Sequence, residues 1–462
     1  MSSNFATADT LVIAADIGKN VHWLGCYDGR LSVLVEPYKL RSDLNGFRQM
    51  TDTVDPLLTS GRFRQAILGH EFTGIYHEPW SWQIHEHYAP YLAGQAAYPL
   101  TYHLLNPLLT KKRREDNSIR RRSTDRLAVR AIASCLADGL GHPAHLLTPV
   151  EAQLDQLVRA YYQLERQQRH LARQLLPQVD RLWPGAIVDV KKFQAAHPEL
   201  ESPTPIVRTN ALDRQRVAAL LLHVPNPHQA LALGADGLHP LLRREVGRAG
   251  PKTVDAILTM LRQAPLPPPA LAAIYAQRLQ ADYQAYVLLG NRLAALESQI
   301  EAHVPHTAAR FLDSVPGIGF LLAARYQAAI VSADRFGTSG QIWALAGFDL
   351  VTDESGDTKR LGKITKRGQP TFRDALYQIG YHTSRHCPPI GHTYLDARQR
   401  GLNHVTAVIH AAHKANRLCF TLLREGRPYR PVSPEEQARF QKRWQAFHKK
   451  GRRRPRPKRV AA

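Results

Sequence analysis

The sequence predicts a chain of class α/β plus α, with a mixed α/β domain at the N-terminus and mostly helical regions after it. Short apolar runs alternate with helical stretches up to about residue 145, as expected of strands and helices that share one sheet domain. Beyond that point leucines and tyrosines recur every three or four residues, which is typical of amphipathic helices. The length of 462 residues exceeds one ordinary core, so two or three domains are expected.

The net charge predicts a nucleic-acid partner. The chain has 61 Lys and Arg against 39 Asp and Glu, a formal net charge of +22. Such a surface attracts polyanions and releases their counterions on binding, so DNA or RNA is the first partner to consider. The alternative interpretation is a solubilising excess of charge, or a basic tail on an otherwise neutral enzyme.

The cysteines and the apolar runs indicate the compartment. The chain has 4 cysteines, and no two of them form a CxxC pair, so neither a disulfide framework nor a thiolate metal site is expected. The first residues lack a basic segment followed by an apolar stretch, and no run of about eighteen apolar residues occurs. We therefore expect a cytoplasmic, nucleoid-associated protein that does not enter a membrane.

The N-terminal domain is predicted over residues 1–147. Three strands with turn signals between them are expected at its start, over residues 10–16, 21–27 and 31–35. A fourth, short apolar strand is expected over residues 65–69 and ends near Glu71. An apolar helix is predicted from Leu127 to Leu136.

The middle region, residues 148–304, is predicted to be helical with coiled-coil character. Two amphipathic helices are expected over residues 149–176 and 270–303, with a stiff proline-rich segment at 265–269 before the second. The two helices could pack against each other within one chain, or form a coiled coil between chains. The spacing alone leaves both arrangements open.

Two further segments complete the predicted organisation. Residues 305–432 read as a mostly helical domain, and residues 433–462 as a basic tail. The last stretch, 441–462, holds ten Lys and Arg and no acid, which predicts a disordered segment that binds nucleic acid. The alternative is a solvated tail with a weak electrostatic effect.

Three carboxylates are candidate metal ligands in the N-terminal domain. Asp16 ends the first apolar strand, Glu71 follows the strand at 65–69, and Asp125 opens the apolar helix. Each alone could be a turn cap or a helix N-terminal acid. Together they present oxygen ligands, which suit Mg²⁺, and paired ions can activate a nucleophile at a phosphodiester.

Two clusters of basic residues flank Asp125 in the sequence. Charge clusters are usually solvated faces, but positive charge on both sides of a proposed metal site is suited to guiding a polyanion into it. The residues of the two clusters are Lys111, Lys112, Arg113 and Arg114, and then Arg120, Arg121 and Arg122.

Several motifs in order resemble the insertion-sequence transposases numbered one hundred and ten and the related Piv-type DNA invertases. The N-terminal motifs are Asp16-Ile-Gly, Glu71-Phe-Thr-Gly, and Asn106-Pro leading to Ser123-Thr-Asp-Arg. The C-terminal motifs are Val315-Pro-Gly-Ile-Gly, the segment from Arg335 to Gly347, Glu354-Ser-Gly, and Leu361-Gly-Lys-Ile-Thr-Lys-Arg-Gly followed by Phe372-Arg-Asp-Ala-Leu. The resemblance covers about 10–135 and 305–430.

The resemblance implies a composite catalytic site. The N-terminal domain would be ribonuclease-H-like (RuvC-like), with Mg²⁺ held by Asp16, Glu71 and Asp125. The C-terminal transposase domain would supply a serine nucleophile, for which Ser355 in Glu-Ser-Gly is the first candidate and Ser339 the second. From the residues alone, Ser355 could be a turn serine and Ser339 a helix N-cap.

The basic motif after Ser355 fits a role at the phosphate. Lys363, Lys366 and Arg367 are donors suited to the scissile phosphate or to developing negative charge. Ordinary binding of backbone phosphates is the simpler interpretation of the same three residues.

One position departs from the family pattern. The family has a fourth carboxylate where this chain has Ala128, three residues after Asp125. Three acids could suffice, a nearby group such as Asp116 could substitute, or the protein could be catalytically weakened. All three explanations remain open.

The predicted function is cleavage and rejoining of DNA strands during transposition. The resemblance also implies a noncoding RNA that guides the protein by base pairing, and an assembly of two or four copies. The alternatives are a metal-dependent, junction-resolving nuclease whose C-terminal domain only grips DNA, and a non-catalytic nucleic-acid-binding protein descended from a transposase.

Overall fold

The computed structural model describes most of the chain and divides it into two compact units. The described residues are 6–72, 74–96, 99–116, 124–145, 147–206, 212, 214–247, 250–355 and 358–452, with the backbone alone at 351–355, 358–363 and 450–452. The first unit is Met1–Thr148 with Ile330–Gly337, and the second is Pro149–Ala329 with Thr338–Ala462.

A six-stranded mixed sheet forms the centre of the first unit. Its strands are β1 Thr10–Ile17, β2 Val21–Asp28, β3 Val33–Arg41, β4 Gln65–Glu71, β5 Leu100–Leu105 and β6 His142–Pro143, in the order β3-β2-β1-β4-β5-β6. Strand β1 pairs antiparallel with β2 and parallel with β4, and β4 pairs parallel with β5. The predicted fold class, α/β followed by mostly helical regions, is confirmed.

The third strand differs from the prediction. A strand was expected over 31–35, but Leu31 has a φ of 64° and its amide donates to the Asp28 carbonyl, 2.8 Å away. The chain is therefore still turning at Leu31, and β3 begins at Val33 and continues to Arg41. The polar half of this strand lies at the edge of the sheet, where one side has no partner strand to bury apolar groups.

Helices cover both faces of this sheet because β1 is apolar on both sides. The helices of the first unit are α1 Leu44–Thr59, α2 Glu78–His87, α3 Ala89–Leu92, α4 Pro107–Asp116 and α5 Asp125–Ala137. Leu11 and Ile13 pack with residues of α1 and α2, whereas Val12 and Ala14 pack with residues of α5. The alternation follows from the two-residue repeat of a strand.

Two long helices form the spine of the second unit. Helix α6 covers Pro149–Leu182, and α11 covers Pro269–His303. The Tyr161 hydroxyl donates to Glu297 Oε1 at 2.8 Å, and Gln178 Nε2 donates to Asp282 Oδ2 at 2.8 Å, so the helices run antiparallel. This is the arrangement within one chain that the sequence left open.

Four further helices lie between them in the sequence, and most of these pack with one end of each long helix in a common core. They are α7 Val190–Ala196, α8 Gln215–His223, α9 Pro227–Val246 and α10 Pro251–Gln263. Trp183 and Tyr283 are fully buried in this core, and each donates a hydrogen bond to a backbone carbonyl, of Pro225 at 2.7 Å and Leu212 at 2.8 Å. The proline-rich segment before Pro269 joins α10 to α11 without helical structure.

The remaining elements are helical except for one hairpin. They are α12 Ala309–Asp313, α13 Phe320–Ile330, α14 Ser339–Leu345, β7 Leu350–Ser355, β8 Thr358–Ile364, α15 Pro370–His386, α16 Pro388–Gln399, α17 His404–Glu425 and α18 Pro434–Arg452. Strands β7 and β8 pair antiparallel. In the described parts of the chain no helix combines the length and the apolar character that crossing a membrane requires.

The prediction of disorder over 441–462 is wrong for residues 441–452, which belong to α18. Phe440 is buried against Gly391 of α16, where an added Cβ would lie 2.3 Å from the Phe440 ring. Arg443 donates to His392 Nδ1 at 2.9 Å and to Gln399 at 3.0 Å. Apolar residues at helical spacing dock the start of the basic stretch, and residues 453–462 lie outside the described residues.

Candidate active site

The ends of two neighbouring strands bring Asp16 and Glu71 to one edge of the first unit's sheet. In the parallel pairing of β1 with β4, Ala15 lies opposite His70, so the next residue on each strand is one of the two acids. Parallel neighbours end at the same edge of a sheet, and side chains there converge outside it. Sequence analysis predicted both residues as metal ligands, and the sheet register brings them together.

The third acid comes from the helix that packs across these strands. Asp125 is the first residue of α5, after the N-cap Thr124, whose hydroxyl accepts from the Leu127 amide at 3.4 Å. Asp125 is exposed, and α5 contacts both β1 and β4. The start of α5 therefore adds a carboxylate to the edge where Asp16 lies.

The charges of the three acids act on one another. The pKa of the Asp16 carboxyl is raised to about 6, first by burial and then by the negative charges of Glu71 and Asp125. The Arg114 guanidinium of α4 works in the opposite direction. A cation bound beside Asp16 would offset the negative charges of Glu71 and Asp125.

The carboxylate of Glu71 is held by α4. Glu71 is buried, and its Oε1 accepts a hydrogen bond from the Thr110 hydroxyl. The following residue, Phe72, donates its amide to the Leu105 carbonyl at 2.9 Å. These bonds fix the end of β4 against the end of β5 and against α4.

A network of hydrogen-bonded side chains holds the backbone carbonyl of Glu71. His70 Nδ1 donates to the Glu71 carbonyl at 2.8 Å, and His70 Nε2 is bonded to the Tyr102 hydroxyl. The Ser81 hydroxyl lies 2.7 Å from the same Tyr102 oxygen. Burial lowers the pKa of His70 to about 4, so the ring is neutral at pH 7. Sequence analysis missed this network, because its members lie on β4, β5 and α2.

The departure from the family's acid pattern lies inside the fold. Ala128, one turn after Asp125, is only 4% exposed. An acid at this position would lie on the inner side of α5, beside the strands. Asp116, the other candidate for a fourth acid, is exposed at the end of α4.

The three acids have the ligand chemistry of a divalent-cation site, but their side chains are not arranged as a complete coordination site. Within the ranges that the structure describes, no three His, Cys, Asp or Glu side chains are arranged to hold a metal ion. The donors are all carboxylate oxygens, as Mg²⁺ prefers. Glu71 is turned towards Thr110, so its side chain would have to move to join Asp16 on an ion.

The predicted basic cluster on α4 divides into two kinds of residue. Lys111 and Lys112 are exposed, whereas Arg113 pairs with Asp138 at the end of α5 and Arg114 acts on Asp16. The two lysines are therefore the part of this cluster that faces solvent. Arg120, Arg121 and Arg122 lie outside the described residues.

The structure places Ser355 at the end of the β7–β8 hairpin in the second unit. Ser355 is the last residue of β7 and pairs with Thr358, the first residue of β8. The side chains of 351–363, including those of Ser355 and Lys363, lie outside the described residues. Lys366 and Arg367 are exposed just after the hairpin.

The loop after the hairpin has a defined backbone. Lys366 has a φ of 54°, and its amide donates to the Gly347 carbonyl at 3.1 Å. The Thr365 hydroxyl donates to Asp349 Oδ1 at 2.7 Å. A left-handed lysine is uncommon, and here backbone and side-chain bonds on both sides hold it in place.

The second serine candidate, Ser339, is the first residue of α14. The N-cap position belongs to Thr338, which makes no side-chain capping bond, so the interpretation of Ser339 as the cap is not what the structure shows. The Ser339 carbonyl accepts from Asn416 Nδ2 at 2.8 Å, and the buried Asn416 also accepts from the Tyr326 hydroxyl at 2.9 Å. These bonds anchor the backbone of Ser339.

Comparison with known proteins shows which family part of the chain resembles. Residues 309–396 match the family described as Transposase IS116/IS110/IS902. A protein of Streptomyces coelicolor named insertion element IS110 uncharacterized 43.6 kDa protein is 26% identical over 242 residues, which cover 52% of this chain and 58% of the relative. This chain is therefore similar to that transposase family over residues 309–396.

A second relative extends the similarity. A probable family 20 transposase of Pseudomonas aeruginosa is 32% identical over 207 residues, which cover 43% of this chain and 58% of that protein. In both comparisons less than two thirds of the relative is covered. The matched family segment contains the β7–β8 hairpin, both serine candidates and the basic residues after them.

Proposed function

We propose that this protein cuts and rejoins DNA strands during the transposition of an insertion sequence. The observation that carries the proposal is the cluster of Asp16, Glu71 and Asp125 at one edge of the first unit's sheet. An acid at the end of a central first strand also supports a ribonuclease-H-like (RuvC-like) assignment for this unit. Clusters of interacting acids at a strand edge are typical of functional sites.

The three acids would hold Mg²⁺ on the DNA side of the sheet edge. Bound there, the ion would stabilise negative charge on the phosphodiester that is cleaved. Asp16 would bind in its ionised form, and Glu71 would give up its bond from Thr110. The basic side chains of Lys111 and Lys112 would contact backbone phosphates near this edge.

The serine of the β7–β8 hairpin, Ser355, would be the nucleophile. Its oxygen forms a new bond to phosphorus, its proton passes to a base, and the departing strand oxygen takes up a proton. One phosphorus–oxygen bond forms for each one broken, so the protein–DNA link can be reversed to rejoin strands. Lys363, Lys366 and Arg367 would stabilise the charge on the phosphate.

A covalent-trapping experiment tests the serine assignment. Labelled DNA is incubated with the protein, the complex is denatured and digested, and the modified peptide is mapped by mass spectrometry. We expect an adduct on Ser355 that disappears in Ser355→Ala while DNA binding is retained. Ser339→Ala serves as the control and should keep the adduct.

The outcomes of this experiment separate the candidate functions. An adduct on Ser339 would move the nucleophile to α14. Cleavage with two free DNA ends and no adduct would favour a metal-dependent, junction-resolving nuclease. Absence of any cleavage would favour a non-catalytic DNA-binding protein, an alternative supported by Ala128 in the place of the fourth acid.

Further properties belong to the same proposal. A noncoding guide RNA would supply sequence specificity by base pairing, while the protein would contact RNA shape and backbone. Two or four copies would assemble on the DNA, and the protein would act in the cytoplasm at the nucleoid. The formal net charge of +22 supports the nucleic-acid partners.

A further inference from the structure

The chain exposes a stripe of apolar side chains directly after Glu71. Phe72 is 51% exposed, Ile75 66%, Tyr76 46% and Trp82 59%. These four residues, here the aromatic stripe, lie in the sequence between the end of β4 and the middle of α2. Large apolar groups grouped on a surface usually mark a binding site.

The aromatic stripe is not needed for the core of the first unit. Helix α2 already has an inner face, where Trp80 and Ile84 are buried and Trp80 packs edge-on against Phe47, with ring centres 5.6 Å apart. Trp82 lies on the same helix but points to solvent. An outer face that combines aromatic rings with exposure therefore has another role.

The stripe is fixed at both ends. At its start, the Phe72 amide is bonded to the Leu105 carbonyl, and the Phe72 ring lies 4.6 Å from the ring of buried His77. Further along, Ser81 of α2 lies 2.7 Å from the Tyr102 hydroxyl on β5. A rigid aromatic surface loses little conformational entropy when a flat ligand stacks on it.

The chemistry of the neighbouring groups indicates the ligand. Glu71, the residue before Phe72, is bonded to Thr110 of α4, and the next two residues of α4 are the exposed Lys111 and Lys112. Lysines bind backbone phosphates, and aromatic rings stack on unpaired bases whatever their sequence. Aromatic rings also occur at protein interfaces, but exposed lysines beside them favour a polyanion.

We propose that the aromatic stripe stacks unpaired bases of a DNA strand whose phosphates contact Lys111 and Lys112, and so positions that strand beside Asp16 and Glu71. The inference rests on the proposed function, because the strand it positions is the one to be cut. It adds Phe72, Tyr76 and Trp82 as positioning residues. Duplex DNA, whose bases are already stacked on each other, would gain less from these rings.

Tryptophan fluorescence gives a direct test in the full-length protein. Of the 6 tryptophans, Trp82 is the one with a largely exposed side chain. A single-stranded oligothymidylate should quench the emission, and Trp82→Phe should remove most of this quenching while a ring remains for binding. Quenching of the same size in Trp82→Phe, or none in the wild type despite measured binding, would overturn the proposal.

Affinity measurements test the other two rings. Replacing an aromatic platform with alanine weakens single-strand binding about five- to hundredfold per base, so Tyr76→Ala and Phe72→Ala should each do so and affect duplex affinity less. Leu44→Ala, at the start of α1 and 60% exposed, is the matched control and should leave both affinities unchanged. Equal losses for single strand and duplex would contradict stacking.

The same variants identify a protein partner if there is one. Sedimentation of wild type and Tyr76→Ala should give the same mass, since the stripe binds DNA. A change from a larger to a smaller assembly in Tyr76→Ala would make the stripe an interface between copies and overturn the proposal.

The binding readout separates this inference from the proposed function. Quenching through Trp82 in a protein that cuts no DNA would support the stacking surface and contradict the proposed recombinase activity. Cleavage through a Ser355 adduct would support the recombinase activity. If Trp82, Tyr76 and Phe72 then contributed nothing to single-strand affinity, the stacking surface would be contradicted.

Discussion

Each unit of the molecule contains a cluster of charged side chains. The cluster in the second unit pairs opposite charges, and the cluster in the first unit brings together charges of the same sign. In the second unit, Arg325 is 5% exposed and lies 3.1 Å from Glu165 and 3.8 Å from Asp374. Its guanidinium also lies over the Tyr162 ring, 4.5 Å from the centre. In the first unit, Asp16, Glu71 and Asp125 bring charges of one sign together.

The difference separates a structural cluster from a candidate functional one. The Arg325 cluster joins α6, α13 and α15 and contains carboxylates of opposite charge to its guanidinium. Among the described residues, the positive charge that acts on Asp16 is that of Arg114, and it offsets the acids in part. A group of like charges that the fold retains without balancing them is suited to a cation or to chemistry.

The largest expected effect is the loss of strand cleavage in Asp16→Asn. The change removes a carboxylate ligand with almost no change in volume, so cleavage of labelled DNA in Mg²⁺ should fall by at least about a hundredfold. Thermal unfolding should show a Tm no lower than that of the wild type, because a like-charge repulsion disappears. Full cleavage by this variant would show that Asp16 is not a ligand of the catalytic ion.

The opposite result is expected for Arg325→Met in the second unit. Removing the Arg325 guanidinium leaves Glu165 paired with Arg169, 2.6 Å away, so the folding free energy should fall by about 1–3 kcal/mol. Denaturant unfolding measures this loss. The matched control is Arg439→Met, since Arg439 forms an exposed pair with Glu436 at 3.3 Å and should change stability by less than about 1 kcal/mol. Similar losses in both variants would refute a structural role for the buried cluster.

Adding a fourth acid at position 128 should increase the like-charge repulsion in the first unit and its dependence on a cation. Ala128→Asp places a fourth carboxylate on the buried side of α5, and should lower stability by about 1–3 kcal/mol without a cation. Mg²⁺ should recover more stability in this variant than in the wild type, and cleavage should increase if three acids are too few. A variant that is equally unstable with and without Mg²⁺ would show that position 128 does not reach the ion.

The smallest effect is expected at the C-terminus, where positive charge lies beyond a docked helix. Truncation after Arg452 keeps α18 and removes five basic residues, Arg453, Arg454, Arg456, Lys458 and Arg459. DNA affinity should weaken for all sequences, and the slope of its logarithm against salt should become shallower by up to about 4. Weakening for one sequence only would mean that the tail contacts bases.

Much of the first unit followed from local sequence patterns. Strands β1, β2 and β4 and helix α5 were predicted because continuous apolar runs identify buried elements whatever packs on them. The polar half of β3 was missed, since an edge strand lacks that pattern. Helix α18 was missed because the basic composition obscured the apolar positions Phe440, Trp444 and Phe447, which dock it.

The candidate site also contains residues that the sequence predicts and contacts that it does not. Asp16, Glu71 and Asp125 could be proposed from sequence, because each lies at the end or start of a predictable element. The bond from Thr110 to Glu71 spans 39 residues, and the pair of Arg325 with Glu165 spans 160. Such contacts depend on how elements pack, which the spacing of residues along the chain does not specify.

The most direct test of the central claim is the effect of Mg²⁺ on the Tm of the wild type and of Asp16→Asn. A cation that binds the folded acid cluster stabilises the protein in proportion to the logarithm of its concentration above Kd. The account predicts that Mg²⁺ raises the Tm of the wild type, beyond an equal ionic strength of K⁺, and has little effect on the variant. The same Mg²⁺ response in both proteins, or no response in the wild type, would contradict it.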